Sequence, residues 1–241
     1  MRYAVFSDIH GNLEAFNAVL TALDKERVDK FLYVGDIVGY GADPIECLNK
    51  MQELDPVVVC GNHDWAVCDL VNTDYFNTAA RNAALWTKER LGKEYIEYLK
   101  SMKLKYENKD VTLVHGTLDR PDAFSYILDG YGAQKTMALM KTNVCFIGHS
   151  HVAGVFYRDK RTINYTATSE VALQPSVKYI VNVGSVGQPR DGDPRASFCI
   201  YDDVERLIEI KRISYDVAGA QRKILEAGLP EVLALRLSEG R

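Results

Sequence analysis

Tyr3-Ala4-Val5-Phe6-Ser7-Asp8-Ile9-His10-Gly11-Asn12 begins as an apolar run and passes directly into a phrase that carries a carboxylate and an imidazole. The apolar part reads as a buried strand. Leu13, Phe16, Leu20 and Leu23 then recur at helical spacing and place a helix over about 12–24, with Asn12 as its N-cap. Phe31–Val34 is the next strand. Asp43, Pro44 and Glu46 look like the N-cap, first helical position and capping-box partner of a helix whose apolar face is Ile45, Leu48 and Met51. Val57–Cys60 is a third strand. This β-α-β-α-β opening implies parallel strands joined by right-handed crossovers, and so an α/β fold.

Farther along, residues 75–102 read as helical in two pieces around Gly92. Val111–Val114 and Val144–Ile147 are strands, with a helix near 131–141 between them. After His151 the pattern changes. Phe156, Ile163, Tyr179–Val183, Ser197–Tyr201 and Leu207–Ile213 mark strands joined by turns without helices, which predicts a second sheet with antiparallel pairs. Asp216 is placed to cap a last long helix, Gly228 to end it and Pro230 to start a short terminal one. With no repeat, low-complexity stretch or linker, residues 1–241 are expected to form one domain.

The composition is that of an ordinary globular chain, 47% hydrophobic and 26% charged. A net charge of −4 argues against general attraction to nucleic acid or anionic membrane. The apolar runs are too short to span a bilayer, and the N-terminus has no secretory pattern, so the expected location is cytoplasmic. The five cysteines, at 47, 60, 68, 145 and 199, include no CxxC pair and suit buried small hydrophobes better than disulfides.

All five histidines lie in short phrases with Asp, Asn or Gly: Asp8-Ile9-His10, Gly61-Asn62-His63-Asp64, His115-Gly116 and Gly148-His149-Ser150-His151. Gly35-Asp36-Ile37-Val38-Gly39-Tyr40-Gly41 adds a further carboxylate. Each phrase follows a predicted strand, at the edge where open α/β sheets bind ligands. Taken singly, each also suits a turn or a cap; five arriving at one edge point to a metal site. Imidazole, carboxylate and amide oxygen suit Mn²⁺, Fe or Zn²⁺, and the cell's supply decides among them. Asp8, His10, Asp36, Asn62, His115, His149 and His151 are too many groups for one ion. Two divalent ions about 3.5–4 Å apart, sharing one carboxylate, would use them all and make hydroxide available near neutral pH.

The ordered set resembles the calcineurin-like metallophosphoesterase family over roughly residues 1–200. The resemblance implies a four-layer α/β/β/α sandwich of two mixed sheets. It assigns Asp8, His10 and His151 to one metal, Asn62, His115 and His149 to the other, and Asp36 to both. His63 would protonate the leaving oxygen, with Asp64 orienting its ring or capping the segment that starts at Trp65. Gly39 and Gly41 would let the backbone pass close to the metals, and Tyr40 would pack beneath the site or touch substrate.

The implied reaction is hydrolysis of a small phosphodiester or dinucleoside polyphosphate by a metal-activated hydroxide. Phe124 and Tyr126 either stack a nucleobase or anchor their loop. The stretch from Asn182 to Arg195 resembles one in family members that are phosphodiesterases or related to diadenosine tetraphosphatases. There Arg190 either reaches a second phosphate or, with Arg195, pairs with Asp191 and Asp193. A phosphomonoester or phosphoprotein phosphatase is the alternative, and a non-catalytic scaffold ranks lower because His63 and the ligand set are complete. Nucleic acid and membrane are not expected partners. No apolar stripe sets a dimer face apart from core, so the sequence leaves the oligomeric state open.

Overall fold

The structure, a computed structural model, describes residues 1–241. In the N-terminal half, β1 (Arg2–Phe6), β2 (Lys30–Tyr33) and β3 (Val57–Val58) alternate with α1 (Leu13–Leu23) and α2 (Pro44–Leu54), and the three strands pair in parallel. After α3 (Asn62–Ala66), α4 (Thr78–Lys88) and α5 (Lys93–Ser101) are separated at Gly92, the N-cap of α5. Next come β4 (Lys105–Glu107), β5 (Val111–Val114), α6 (Gly130–Leu139) and β6 (Val144–Ile147). The remainder is β7 (Gly154–Asp159), β8 (Thr162–Thr166), β9 (Glu170–Ala172), β10 (Tyr179–Asn182), β11 (Ala196–Asp202), β12 (Leu207–Ile213), α7 (Val217–Glu226) and α8 (Glu231–Glu239).

The strands form two six-stranded sheets, ordered β3-β2-β1-β11-β12-β9 and β4-β5-β6-β10-β7-β8. Here one expectation fails. The strands after His151 do not build a sheet of their own: β11, β12 and β9 extend the first, while β10, β7 and β8 extend the second. Strand-to-strand turns predict antiparallel neighbours, and β11–β12 and β7–β8 are such pairs. They do not reveal where each pair docks: β11–β12 joins β1, while β7–β8 joins β10, which itself pairs with β6.

Alternation along the strands sorts the layers. Tyr3 and Val5 of β1 face Val111, Phe146 and Val181 of the other sheet across one apolar layer. Ala4 and Phe6 point the opposite way, onto Phe16, Val19 and Leu48 of α1 and α2. On the far side Cys145, Ile147 and Ile180 pack on Ala133 and Met137 of α6. The order is therefore helix, sheet, sheet, helix. All five cysteines are free and buried. No helix is long and apolar enough to cross a membrane.

Asn12 and Asp216 cap their helices as expected, accepting from Ala15 N–H and Gly219 N–H. Asp43 stands at the N-cap of α2 but makes no capping bond; its carboxylate accepts from Lys223 of α7 at 2.9 Å instead. The lysine charge outcompetes a backbone amide there.

Candidate metal centre

The loops that leave β1, β2, β3, β5 and β6 meet at the C-terminal ends of the parallel strands, and main-chain hydrogen bonds tie them together. Asp8 N–H donates to Gly35 O at 2.9 Å, Gly148 N–H to His115 O at 3.0 Å and Gly187 N–H to Asp8 O at 2.9 Å. This packing holds Asp8, His10, Asp36, His149 and His151 at φ between 50° and 66°. A non-glycine residue there costs roughly 1–2 kcal/mol, so the network must hold all five against local strain.

Backbone carbonyls set the tautomers of three rings. His10 Nδ1 lies 3.0 Å from Val38 O, His115 Nδ1 2.7 Å from Val34 O and His151 Nδ1 2.6 Å from Gln188 O. A carbonyl oxygen only accepts, so in the neutral ring Nδ1 carries the proton and Nε2 keeps a lone pair. Those lone pairs converge. His10 Nε2 and His151 Nε2 are 3.1 Å apart. His151 Nε2 is 3.1 Å from Asp8 Oδ1, and His115 Nε2 is 3.1 Å from Asp36 Oδ2. Buried lone pairs repel unless a proton or a cation stands between them. Asp8 Oδ1, Asn62 Oδ1, His115 Nε2 and His149 Nε2 are also buried with no hydrogen-bond partner. Native interiors leave few such atoms, and the donor types suit a borderline transition-metal ion.

The donors form two groups, Asp8 with His10 and His151, and Asp36 with His115 and His149, each with its ligating atoms within 4.8 Å of one another. Asp36 stands between them, its Oδ2 3.1 Å from His115 Nε2 and 3.7 Å from His10 Nε2. His63 falls in a third grouping with His10 and Asp36, but its surroundings differ. Its ring packs on Tyr40 and Phe76 at 4.5 and 4.9 Å. With Asn62 and His149 it lines a recess of about 280 Å³ whose walls include Tyr40, Phe76, Phe124 and Tyr126. Gly39, at φ 91°, lies beneath this ring, where a Cβ would come within 2.5 Å of His63 Nδ1.

Charge is distributed unevenly. Burial pushes His63 well below the usual histidine range; it takes His149 down to about 3, with His115 adding to the effect, and His151 down to about 4, with Arg190 adding. At His115 burial also opposes charge, but Asp36 and Asp8 overcome it and raise the ring to about 9. Burial likewise opposes ionisation of Asp8 and Asp36. His151 and His10 around the first carboxyl, and His115 and His63 around the second, hold both well below the usual carboxylate range. A proton on His115 thus does in the metal-free protein what a cation would do.

Asp64 does not orient His63, contrary to the sequence reading. Its oxygens accept from the backbone N–H groups of Asp36 and Ile37, both at 2.8 Å, and of Gly61 at 3.0 Å. Nor is it an N-cap: it lies inside α3, whose N-cap is Gly61. Asp64 fixes the loop that carries Asp36. Asp36 Oδ1 in turn accepts from His63 N–H at 2.8 Å.

Phe124 is 7% exposed and sits edge-on to Trp65 and His115, so it anchors its loop while closing the floor of the recess. Tyr126 is 51% exposed and lies flat on His149, ring centroids 3.9 Å apart. Arg190 does not pair with Asp191, which binds Arg212; Arg195 does pair with Asp193. Instead Arg190 donates to Gln188 Oε1 at 2.9 Å, and its guanidinium lies 5.5 Å from the centre of the Tyr40 ring. Tyr40 both packs and lines the recess: it is buried and lies 4.5 Å from the His10 ring. Two neighbours had no sequence signal. Phe76 sits in an exposed-looking stretch, and Arg236 belongs to α8, far from every motif.

Inward-facing nitrogen and oxygen donors at the shared edge of two sheets make a site suited to metal ions in a layered α/β fold. The sequence profile of the calcineurin-like phosphoesterase superfamily domain matches residues 1–206. The uncharacterized protein MJ0912 of Methanocaldococcus jannaschii is 39% identical over 242 residues, covering 99% of this chain and 98% of that protein. A crystal structure of a metallophosphoesterase from Sphaerobacter thermophilus superposes with a TM-score of 0.87 at 38% identity, covering 100% of this chain and 99% of that one. The hypothetical protein PH1004 from Pyrococcus horikoshii OT3 shares the fold, with a TM-score of 0.82 at 20% identity over 100% of this chain and 98% of its own. This chain belongs to the calcineurin-like phosphoesterase superfamily.

Proposed function

We propose that residues 1–241 act as one domain that hydrolyses a small phosphodiester or dinucleoside polyphosphate with two divalent ions, Mn²⁺, Fe or Zn²⁺. One observation carries this reading: unbonded Nε2 and carboxylate atoms converge beside a recess that also contains His63. Asp8, His10 and His151 hold one ion, Asn62, His115 and His149 the other, and Asp36 both. When bound, the ions supply Lewis acidity, which makes water nucleophilic near neutral pH and offsets phosphate charge.

The chain's own residues do the rest. His63 is neutral because burial strips water from the charged ring and Asp36 alone is too weak a counter-charge to offset that. A phosphate anion in the recess supplies another, so His63 takes up a proton and returns it to the departing oxygen. Asp64 is a positioning residue that keeps Asp36 aligned. Tyr126, Phe124 and Arg190 contact the parts of the substrate that do not react.

The test is hydrolysis of bis-p-nitrophenyl phosphate and p-nitrophenyl phosphate by metal-stripped protein, with Mn²⁺, Fe²⁺ or Zn²⁺ restored, beside His63→Ala. Diester cleavage that needs both metal and His63 is expected. Cleavage of the monoester alone would move the assignment to a phosphatase. No turnover with two ions bound would favour a scaffold of the same fold.

A further inference from the structure

Beside the metal centre lies a pair of cations that the metal chemistry does not use. Arg190 Nη2 and Arg236 Nη1 donate to the same oxygen, Gln188 Oε1, at 2.9 and 3.2 Å. Gln188 is itself buried, and its main-chain carbonyl holds His151 Nδ1. The pair is therefore built onto the residue that orients a metal-ligand candidate.

The other arginines of this region are neutralised: Arg212 by Asp191 and Arg195 by Asp193. Arg190 and Arg236 have no such carboxylate, and the Nε of each is buried without an acceptor. Two guanidinium groups sharing one neutral oxygen repel each other and keep unused donors. Burial, with the charge of Arg190, lowers the Arg236 guanidinium below its usual range. The fold holds the pair in place despite this. Leu233, Ala234 and Leu237 of α8 pack with Tyr40 in one apolar cluster, and Gly240 O accepts from Gly192 N–H at 3.0 Å. Tyr40 is the link to the reaction, because its ring touches His10 and His63 on one side and Arg190 on the other.

We propose that Arg190 and Arg236 together bind a second phosphate of the substrate, so that the site takes phosphoesters with a pyrophosphate linkage in preference to simple diesters. A terminal or bridging phosphate offers several acceptor oxygens to two planar forks, which is the geometry in which arginine binds most strongly. The proposal rests on the phosphoesterase reading for the position of the reacting phosphate. It adds Arg236, which lies beyond the residues matched by the family profile.

The experiment compares binding of ADP and AMP to the full-length protein loaded with Mn²⁺, by calorimetry, in wild type and R236Q. The two ligands differ by one phosphate. Wild type is expected to favour ADP at least about tenfold, and R236Q to reduce that ratio to about two or less. A wild-type ratio near one, or a ratio that R236Q leaves intact, overturns the proposal. If R236Q does not fold, R236K and R190K carry the same test: each keeps the charge and stem but loses the fork, and each should lower the ratio about threefold. An unaltered ratio in both lysine variants also overturns the proposal. Binding does not depend on turnover, so the two readings fail separately. A protein that hydrolyses no phosphoester yet keeps an ADP preference sensitive to Arg236 would remove the phosphoesterase reading and leave the second-phosphate site standing.

Discussion

Asp8, Asp36 and His151 are held by backbone hydrogen bonds from several loops at once, whereas Tyr126, Arg190 and Arg236 reach the site through side chains that are partly or largely exposed. The first group has strained backbone and no room to move, since carbonyls set its tautomers and Asp64 ties its loops. The second group is held by side-chain contacts alone: Tyr126 stacks on His149, and Arg190 and Arg236 share Gln188 Oε1. The contrast teaches where chemistry and selectivity reside. On the proposed function, the preorganised inner cluster would set what kind of bond is broken, and the rim would set whose bond it is.

Replacing Asp36 should break the inner cluster most severely. Asp36→Asn removes the charge shared by both groups, so bound metal should fall from two ions to one or none by elemental analysis. Hydrolysis should drop by about a thousandfold or more. His63→Ala should reduce turnover by about 10²–10⁴-fold while the metal content stays at two, which separates proton delivery from metal holding.

Asp64→Asn tests whether the cluster owes its rigidity to that carboxylate. An amide has one acceptor oxygen where three short backbone bonds now end. A loss of about 2–4 kcal/mol is expected in urea unfolding; a loss under 1 kcal/mol would mean that the loops hold themselves.

The pH profile of the metal-free protein sharpens the same contrast. His63, His149 and His151 are lowered in the folded state, so each takes up a proton on unfolding in acid. Below the ordinary histidine value of 6.5, stability should therefore fall by up to about 1.4 kcal/mol per pH unit for each group. His115 is raised to about 9, so its contribution is complete below 6.5 and is lost as pH climbs through about 9. Thermal melting should peak near pH 6.5 and decline on both sides. Mn²⁺ requires a neutral His115 and should flatten the alkaline decline; a profile with no alkaline decline in the metal-free protein would contradict this charge assignment. The smallest effect belongs to the rim: Tyr126→Ala should raise KM about 2–10-fold, with a lesser change in kcat.

The inner cluster was legible because each of its loops follows a strand, and a strand announces itself by a short apolar run. Asp8, Asp36, His115 and His149 could be placed at one edge for that reason alone. The role of Asp64 was not legible, since the amides it binds at Asp36 and Ile37 are close only in space. Arg236 was hidden for a similar reason: in α8 it reads as a solvated face of an amphipathic helix, and only the docking of that helix on Tyr40 turns it inward. The sheet assignment failed where strand pairing is long-range. Hairpins leave a local signature, but the insertion of β11 beside β1 does not.

That insertion has a consequence for how the chain acquires its shape. β1 pairs with β2 on one side and β11 on the other, with Arg2 opposite Asp202. During synthesis the first strand emerges long before its second neighbour, and one edge of the first sheet stays open until β11 and β12 leave the ribosome. Such distant pairings slow folding because loop closure precedes any reward. The donor cluster, in which the Gln188 carbonyl orients His151, is not complete until residue 188 has emerged. The half-made sheet is therefore the stage at which the chain is most exposed to aggregation.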